Sequence, residues 1–403
     1  MRIAIVGAGA SGLTCACLLS SQHNVTIFDK NPVSGKKLLM TGNTRCNITN
    51  DVDLNTFLQS VPQNSKFLSA CVHKFAPSDT VKFLNQLGIQ ARMENNNRVF
   101  PTFGGATAVR DALENHARSK GVNFIFNTTI TNITKSQDSF VLEYSDKHDP
   151  FDTIIIATGG MSFPQIGSTG DGYKFARTLG HTILQPRPAL CGLKIDHQCA
   201  PGITIPCEVQ ILEGTTPVIN KQLGNILFTK HGVSGPVIFN ATSNFKSQTI
   251  RNCFLQVNFT PHLTNTEFDS LLSKAINQNA RKKPFYIFRN FVPISVANWL
   301  VELANFSKGK TCADLTKSER IRLSAILTSA QIPIQDFSDL ETATITRGGV
   351  DTNEIDSHTM QSKLVKKLFF IGEVLDIDAL SGGFNLQIAF STAATCANHL
   401  NSI

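Results

Sequence analysis

The chain has 403 residues, of which 41% are hydrophobic and 17% are charged. This length predicts two or three domains, and this composition excludes a chain dominated by disorder. The net charge of +7 favours anionic partners, so a mildly basic enzyme and a protein with an RNA-facing surface both remain open.

The ten cysteines argue against several kinds of site. None belongs to a Cys-x-x-Cys pair, and the closest two are Cys15 and Cys17. Zinc and iron–sulfur sites usually show clustered spacings that are absent from this sequence. The pattern therefore predicts no metal site, and free, mostly buried thiols in a reducing, cytoplasmic compartment.

The apolar stretch at the start of the chain resembles a signal peptide. However, Gly7, Gly9 and Gly12 recur within it at a fixed spacing, and another strand follows at once. A membrane-spanning helix needs a run of about 18 apolar residues, and no such run occurs elsewhere. We therefore expect a cytoplasmic protein without a membrane span.

The first predicted elements form one compact pattern. Arg2–Val6 predicts an apolar strand, residues 11–20 predict a helix, and Asn24–Phe28 predicts a second strand that ends at Asp29. A strand, turn, helix and strand within about 30 residues are typical of a nucleotide-binding unit.

The remaining elements change in character along the chain. Before residue 189 we predict a loop over 31–50, helices near 65–88 and 105–119, and strands over 121–126, 140–144 and 151–157. After it we predict short strands over 193–195, 208–213 and 254–259, and helical sequence over 266–330. The C-terminal part predicts a strand from residue 345, a strand over 368–371 and a helix over 385–400.

This change divides the chain into domains. We expect a nucleotide-binding domain formed by residues 1–188 and 345–403, interrupted by an inserted domain of residues 189–344. The insertion is expected to be β-rich over 189–262 and helical over 263–332.

The motif Gly7-Ala8-Gly9-Ala10-Ser11-Gly12 follows the first strand directly. In this pattern the first glycine permits a tight turn, the second lets the backbone approach a pyrophosphate, and the third lets the helix pack on the strand. The helix N-terminus then offers free N–H groups and a positive dipole end. Asp29, at the end of the second strand, can accept hydrogen bonds from ribose hydroxyls. The combination predicts dinucleotide binding rather than a structural glycine turn.

FAD and NAD share this fingerprint, and three further segments favour FAD. Ala157-Thr158-Gly159-Gly160 ends an apolar strand that is expected to return under the dinucleotide. A second strand ends in Gly372-Glu373, which places a carboxylate beside the ribityl chain and pyrophosphate. Gly382-Gly383-Phe384-Asn385 opens the last helix, whose dipole can stabilise the reduced ring. No second Gly-x-Gly-x-x-Gly follows a strand, which argues against a separate NADPH domain.

Several longer segments are hard to produce by chance. They are Lys37-Leu38-Leu39-Met40-Thr41-Gly42-Asn43-Thr44-Arg45-Cys46-Asn47-Ile48-Thr49-Asn50, Val99-Phe100-Pro101, Gly159-Gly160-Met161-Ser162-Phe163-Pro164, Gly167-Ser168-Thr169-Gly170-Asp171-Gly172, Leu227-Phe228-Thr229-Lys230-His231-Gly232-Val233-Ser234-Gly235-Pro236 and Gly372-Glu373-Val374-Leu375-Asp376. On these segments the chain resembles, over essentially its whole length, the YhiN/BaiN-like family of FAD-binding flavoproteins, also called aminoacetone-oxidase-like.

The resemblance implies an α/β fold, in which a Rossmann-like FAD-binding domain is interrupted by an inserted β-barrel-like plus helical domain. It also implies a flavin site lined by the Arg45-Cys46-Asn47 loop and by residues 382–385. Members of the family are linked to dihydrouridine synthesis in ribosomal RNA, to reduction of steroid-like substrates and to amine oxidation. The chain departs from the family at Thr44 and Ala379, where glycine is usual, so a left-handed backbone at Thr44 would be strained.

Three residues are candidates for catalysis. Arg45 either stabilises the reduced flavin, holds a substrate phosphate or carbonyl, or only anchors its loop. Cys46 either delivers a proton opposite the flavin hydride or is a small packed residue. His231 either faces the substrate or is a structural histidine. Asn47 is expected to bind the cofactor or cap a turn rather than act in chemistry.

Other segments keep two interpretations each. Lys36 and Lys37 either pair with FAD phosphates or lie in a solvated loop, and Arg281-Lys282-Lys283 either follows RNA phosphates or forms a solvated helix end. The glycines of residues 346–350 indicate a close backbone approach. The full set predicted to bind the cofactor is Gly7, Gly9, Ala10, Ser11, Gly12, Asp29, Lys30, Lys37, Arg45, Asn47, Ile130, Ala157, Thr158, Gly159, Gly372, Glu373, Asp376, Gly383, Phe384 and Asn385.

From these observations we expect the protein to be an FAD-dependent oxidoreductase. A nicotinamide donor, NADH or NADPH, reduces the flavin, which passes hydride to a C=C bond while a nearby acid supplies the proton. The first candidate substrate is uridine in ribosomal RNA. The alternatives are a small-molecule oxidase or reductase acting on an amine or enone, and a flavin-bound RNA-binding module without turnover.

Overall fold

The structure is a computed structural model, and it describes residues 1–245, 250, 252–307 and 309–403. The chain divides into two compact units. Unit 1 comprises residues 1–189 and 340–403, and unit 2 comprises residues 190–339.

Elements are numbered along the whole chain. The strands of unit 1 are β1 Arg2–Val6, β2 Asn24–Phe28, β3 Thr49–Asn50, β4 Ala91–Glu94, β5 Arg98–Pro101, β6 Asn123–Ile125, β7 Asn132–Lys135, β8 Phe140–Tyr144, β9 Lys147–Phe151, β10 Thr153–Ile156, β11 Ile183–Ala189, β18 Ile345–Val350 and β19 Leu368–Phe370. Its helices are α1 Ala10–Leu18, α2 Lys36–Met40, α3 Leu54–Gln59, α4 Ser65–Lys74, α5 Pro77–Gln86, α6 Gly105–Ser119, α7 Asp171–Thr178 and α13 Phe384–Asn401.

The centre of unit 1 is a parallel sheet with the strand order β19-β10-β1-β2-β6. Its strands are apolar because both faces are covered, as parallel sheets require. Ile3, Ile5 and Ile155 are fully buried, and α1 packs against α13 and α6. The carboxyl ends of β1, β2, β10 and β19 therefore meet at one edge, where ligands bind in folds of this kind.

Smaller sheets extend unit 1 around this core. The sheet β3-β5-β4 lies next in sequence to the Arg45 loop, β7-β8-β9 is an antiparallel meander, and β11 pairs antiparallel with β18. Strand β18 is buried along its whole length.

Unit 2 has its own elements. Its strands are β12 Leu193–Ile195, β13 Thr204–Glu213, β14 Thr216–Thr229, β15 Gly232–Ser234, β16 Cys253–Asn258 and β17 Ala330–Phe337. Its helices are α8 Pro236–Asn244, α9 Asn265–Gln278, α10 Phe285–Phe288, α11 Ile294–Ala304 and α12 Lys317–Ser329. The strands close into a barrel in the order β12-β15-β14-β13-β16-β17. The predicted α/β fold with a barrel is thereby confirmed.

Three sequence predictions need correction. The predicted loop over 31–50 contains α2 and β3, because Gly35 adopts a left-handed conformation that starts a short helix. The predicted helix near 65–88 is two helices, because Pro77 has no backbone N–H to continue the first and begins the second. The helical segment predicted over 263–332 ends at Ser329, since β17 then alternates buried and exposed residues.

The buried thiols predict an alkaline limit to stability. Burial raises the pKa of Cys17 and Cys207 to about 12 and the pKa of Cys46 to about 11, above the ordinary 9.0. Above pH 9.0 the unfolded chain releases protons that the folded chain retains, so the free energy of unfolding falls as pH rises. We expect a loss of at least about 2 kcal/mol by pH 11, measured by denaturant unfolding under reducing conditions. The change Cys17→Ala should flatten this slope, and an unchanged slope would contradict the assignment.

Candidate functional site

The glycine loop between β1 and α1 has two closed positions and one open position. A Cβ atom on Gly7 would lie 2.4 Å from the Ala157 carbonyl oxygen, and one on Gly12 would lie 2.0 Å from the Gly7 carbonyl oxygen. A Cβ atom on Gly9 would meet no described atom within 4 Å. The loop is therefore packed from below by the protein and open above Gly9, as the approach of a pyrophosphate requires.

The N-terminus of α1 faces this open space without a protein anion. No described side chain caps the helix, and its first turn holds no acidic residue. Ser11 and Gly12 in that turn are buried. Because the first N–H groups of a helix need acceptors, the terminus can bind a phosphate.

Asp29 at the end of β2 fixes the glycine loop. Its carboxylate accepts the Ala8 N–H at 2.8 Å and the backbone N–H of Asn31 at 2.8 Å. The Asn31 side-chain amide donates to it at 3.0 Å. A carboxylate has about four acceptor sites, so one remains for a ribose hydroxyl.

Two more predicted segments reach the same edge. Ala157, Thr158 and Gly159 follow β10, and a Cβ atom on Gly372, which follows β19, would lie 2.6 Å from Ser11 Oγ. The structure therefore brings the glycine loop, the 157–159 segment and Gly372 together, although they lie far apart in sequence.

An ion-pair network stands beside this edge. Lys37 Nζ lies 2.7 Å from Glu373 Oε2 and 2.6 Å from Ser162 Oγ. Glu373 Oε1 also accepts the Thr346 N–H at 2.9 Å. Lys37 and Glu373 were both predicted to bind the cofactor, and in the structure they bind each other.

The outer predicted residues are also held by protein groups. Lys30 Nζ lies 2.5 Å from Asp171 Oδ2 and also donates to Thr169. Ile130 is a buried core residue. A cofactor role for these two residues stays a prediction.

The Arg45 loop has an unusual backbone. Asn43, Thr44 and Cys46 all adopt positive φ, at 56°, 66° and 61°. Because Thr44 adopts a left-handed backbone, the threonine that stands where the family usually has glycine is strained. Ala379, the other departure, is fully buried and its N–H is held at 2.9 Å by Asn385 Oδ1.

We expect Thr44→Gly to stabilise the protein. A branched side chain in the left-handed region costs about 1–2 kcal/mol, and glycine removes this strain. Glycine also gives the unfolded chain more conformational entropy, which offsets part of the stabilisation. The free energy of unfolding should rise by about 0.5–1 kcal/mol in denaturant titrations. Thr41→Gly is the matched control. Because Thr41 has an ordinary φ of −67°, this variant relieves no strain and should be less stable than the wild type. A loss at Thr44 as well would contradict the strain.

Arg45 is exposed rather than buried. Its guanidinium lies 4.2 Å from the centroid of the Phe100 ring and forms an ion pair with Glu94. The hydrogen bond from Arg45 lowers the pKa of the Glu94 carboxyl, and the same bond raises the pKa of Arg45. This charged group stays available at the surface, which suits an anionic ligand.

Cys46 and Asn47 turn inward from the same loop. Cys46 is fully buried, and burial raises the pKa of its thiol to about 11 against an opposing hydrogen bond with Thr41. Cys46 therefore holds a proton at neutral pH. Asn47 Oδ1 is buried and has no hydrogen-bond partner within the described residues. A buried oxygen without a donor is costly, and a bound cofactor can supply that donor.

The start of α13 is anchored by the chain itself. A Cβ atom on Gly383 would lie 2.5 Å from the Thr49 carbonyl oxygen, and Phe384 packs against Phe57 with ring centroids 5.4 Å apart. The Asn385 amide bonds both the N–H and the C=O of Ala379. These contacts place the helix N-terminus beside the 49–50 strand that continues the Arg45 loop.

Asp376 is a buried acceptor held by protein donors. Gln63 donates to it at 2.8 Å, Asn64 at 2.9 Å, and the Gly348 N–H at 2.9 Å. Burial raises the pKa of its carboxyl. Its cofactor role stays a prediction.

Sequence reasoning missed a buried ion pair next to Asp376. Arg347 Nε lies 2.7 Å from Asp378 Oδ1, and a terminal guanidinium nitrogen lies 2.5 Å from Asp378 Oδ2. The side chains are only 5% and 1% exposed. Residues 346–350 were chosen for their glycines, and Arg347, directly before Gly348, was the signal that could have indicated the pair.

His231 belongs to unit 2, whereas the residues above belong to unit 1. It is exposed in the turn between β14 and β15. Its predicted catalytic role therefore stays a prediction. The described residues contain no helix that could cross a membrane and no group of three or more His, Cys, Asp or Glu side chains placed to hold a metal.

The residues present fit FAD. The open space over Gly9, the uncapped start of α1 and the orphaned oxygen of Asn47 all call for a ligand that carries phosphates and hydrogen-bond donors. Asp29 and the loop at 157–159 would hold the dinucleotide part, and the Arg45 loop with the start of α13 would hold the ring.

Comparisons with known proteins agree with this geometry. A family model described as HI0933-like protein Rossmann domain matches residues 1–399. The chain is 29% identical over 407 residues to the ribosomal RNA dihydrouridine synthase of Escherichia coli K12, which covers 98% of this chain and 97% of the relative. It is 28% identical over 404 residues to the 3-dehydro-bile acid delta(4,6)-reductase of Clostridium scindens. This alignment covers 97% of this chain and 97% of the relative.

Solved structures show the same fold at low identity. The 3-ketosteroid delta1-dehydrogenase of Sterolibacterium denitrificans, in complex with 1,4-androstadiene-3,17-dione, has a TM-score of 0.54 at 12% identity. The match covers 99% of each chain. At this identity the likeness concerns the fold alone.

Proposed function

The chain belongs to the HI0933-like family of FAD-dependent oxidoreductases, and from this premise we propose that it reduces uridine in ribosomal RNA to dihydrouridine. A nicotinamide, NADH or NADPH, is the proposed electron donor. Bound FAD supplies hydride transfer, and the protein positions the reacting groups. The relative of E. coli, named for this activity and aligned over nearly the whole chain, supports the proposal.

The observation that carries the RNA proposal is a basic surface at the Arg45 loop. We call it the arginine face, and it consists of Arg45, Arg92 and Arg98. The guanidinium groups of Arg45 and Arg98 lie 4.2 Å and 6.0 Å from the centroid of the Phe100 ring. Arg92 lies directly opposite Phe100 on the paired strands, and Glu94 is the acid that bridges Arg45 and Arg92. Guanidinium groups bind phosphates in pairs of hydrogen bonds and stack on bases.

An exposed aromatic ring adjoins the arginine face. Phe103 is 80% exposed, two residues before Gly105, whose position lies against the backbone of Thr44. Unpaired RNA bases stack on aromatic rings of this kind. An exposed ring three residues after Phe100, together with three arginines, suits a nucleic acid better than a small apolar substrate.

In the proposed reaction, Arg45 and Cys46 of the Arg45 loop have different roles. Arg45 lies at the surface and can hold a phosphate or a uracil carbonyl, with Phe100 and Glu94 fixing its direction. Cys46 lies inside and keeps its proton at neutral pH, so it can give that proton only to a group that reaches it within the site. The loop therefore offers a charged anchor outside and an acid inside.

A second candidate function is reduction of a small enone, as in bile acids. The relative named 3-dehydro-bile acid delta(4,6)-reductase is 28% identical, almost as similar as the RNA enzyme. This candidate predicts activity on free steroid-like enones and no dependence on Arg92, Arg98 or Phe103.

The test uses the purified flavoprotein with ribosomal RNA from a strain that lacks the gene. We expect NADPH or NADH to be consumed and dihydrouridine to appear in nucleoside mass spectrometry. Turnover of a steroid enone but not RNA would support the second candidate. Bound FAD that neither nicotinamide reduces would instead indicate an RNA-binding module without turnover.

Cys46→Ala should lower the turnover of RNA by about 10²–10⁴-fold, because the proton donor is lost, while the flavin stays bound. Cys71→Ala is the matched control: Cys71 is also fully buried, its pKa is also raised to about 11, and it lies in α4. Equal rates for both variants would remove Cys46 from the chemistry and leave it a packed residue.

A further inference from the structure

Unit 2 carries a cavity that no step above uses. Its volume is about 610 Å³, within the range of small-ligand sites. Helices α10 and α11 supply most of its wall, including Phe285, Tyr286 and Trp299. Lys283, Asn298 and Glu302 add polar groups. An aromatic wall with polar groups at its rim suits a flat, polar ring rather than a purely apolar ligand.

The local sequence explains why these rings face the cavity. Pro284 begins the short helix α10. Ile287 and Phe288 of that helix are fully buried, whereas Tyr286, directly before them, is 37% exposed. Trp299 is buried in α11 and packs against Phe228 with ring centroids 5.7 Å apart. The wall therefore combines the fixed ring of Trp299 with the accessible ring of Tyr286, which contacts Phe285 with ring centroids 5.3 Å apart.

The basic run of the sequence stands at this cavity. Arg281, Lys282 and Lys283 are all exposed, and Lys283 is one of the lining residues. Lys282 Nζ lies 4.8 Å from the centroid of the Tyr286 ring. Arg289, at the end of α10, is exposed as well. A solvated helix end explains the charges alone, but it does not explain why Lys283 lines an aromatic cavity and Lys282 lies over the Tyr286 ring.

We propose that this cavity binds an unpaired nucleotide of the RNA substrate, with the base against Tyr286 and the neighbouring phosphates held by Lys282 and Lys283. Stacking on aromatic rings combined with a positive groove is how proteins bind single-stranded nucleic acid. Glu302 can accept a hydrogen bond from a base amine or imide. The inference rests on the proposed function, because it takes RNA as the substrate.

The test measures the binding of the FAD-loaded protein to a fluorescent single-stranded RNA of about 12 nucleotides by anisotropy. We expect Tyr286→Ala to weaken binding about tenfold and Tyr286→Phe to retain it, because the ring provides the stacking. Lys283→Glu should weaken binding about tenfold at low salt, and Lys283→Ala should lower the salt slope by about 0.7. Lys366→Glu, a charge reversal at another exposed lysine in unit 1, should change affinity by less than about twofold at the same ionic strength.

Trp299 provides an independent readout because it is the chain's single tryptophan. Its emission should change on RNA binding in the wild type, and this change should shrink in Tyr286→Ala at RNA concentrations that saturate the wild type. Free uridine monophosphate is the second probe. Binding of the nucleotide as tight as that of RNA would assign the cavity to free nucleotides and overturn the RNA subsite.

The two proposals fail in different ways. If dihydrouridine forms but the Tyr286 and Lys283 variants bind RNA like the wild type, the subsite is wrong and the function stands. If these variants lose RNA affinity while no dihydrouridine forms, the subsite stands and the reductase proposal fails. The far-UV circular dichroism spectrum and the thermal midpoint of each variant check that unit 2 is folded.

Discussion

Replacement of Gly9 by valine is expected to give a folded protein that no longer retains FAD. Gly9 has a φ of −79° and a ψ of −171°, an extended backbone that valine adopts readily. A Cβ atom there meets no described atom within 4 Å. The added side chain therefore costs the free protein little, but it fills the space that the pyrophosphate needs.

The measurement is flavin absorbance per chain, with affinity from FAD titration of the apoprotein. We expect FAD affinity to fall by about a hundredfold or more, equivalent to about 2.7 kcal/mol, while the thermal midpoint of the apoprotein stays near that of wild-type apoprotein. Gly12→Ala is the contrasting variant, because its Cβ atom would lie 2.0 Å from the Gly7 carbonyl oxygen. It should lose stability as well as flavin. Full flavin content in the Gly9 variant would show that the cofactor does not cross this glycine.

The second large effect is expected at the buried ion pair. Asp378→Ala leaves the Arg347 guanidinium, 5% exposed, without its carboxylate. Removing one partner of a buried pair costs about 3–5 kcal/mol, since the remaining charge stays buried after its ion-pair partner is lost. The free energy of unfolding, from denaturant titration, should fall by that amount.

Two control variants show whether burial causes the loss. The double change Arg347→Met with Asp378→Leu removes both charges and should recover most of the stability. Lys82→Met breaks an exposed pair, in which Lys82 is 70% exposed, and should cost less than about 1 kcal/mol. A loss at Asp378 as small as that at Lys82 would contradict the assigned burial.

Local patterns predicted the nucleotide-binding part well. Strands β1, β2 and β8 have the bounds expected from their apolar residues, and the family inferred from the long motifs is confirmed. The glycine loop was predictable because its three glycines lie within one turn of the chain, at a fixed spacing directly after a strand. The closed contacts at Gly7 and Gly12 and the open one at Gly9 follow that expectation.

Long-range partnerships were not predictable from local patterns. Lys37 and Glu373 lie 336 residues apart, and each was identified alone as a cofactor ligand without any sign that they bind each other. The Arg347–Asp378 pair joins two segments that were chosen for other residues. Strand β14, which extends over Thr216–Thr229, was missed because many of its residues are polar and exposed. Its pairing with β13, rather than its own sequence, stabilises it.

We propose that this flavoprotein makes dihydrouridine in ribosomal RNA. The most direct test is nucleoside mass spectrometry of ribosomal RNA from a strain lacking the gene, beside its parent and a strain with the gene restored. We expect dihydrouridine to be present in the parent, absent in the deletion and restored with the gene. Unchanged dihydrouridine in the deletion, or none in the parent, would contradict the claim and direct the search to small enone and amine substrates.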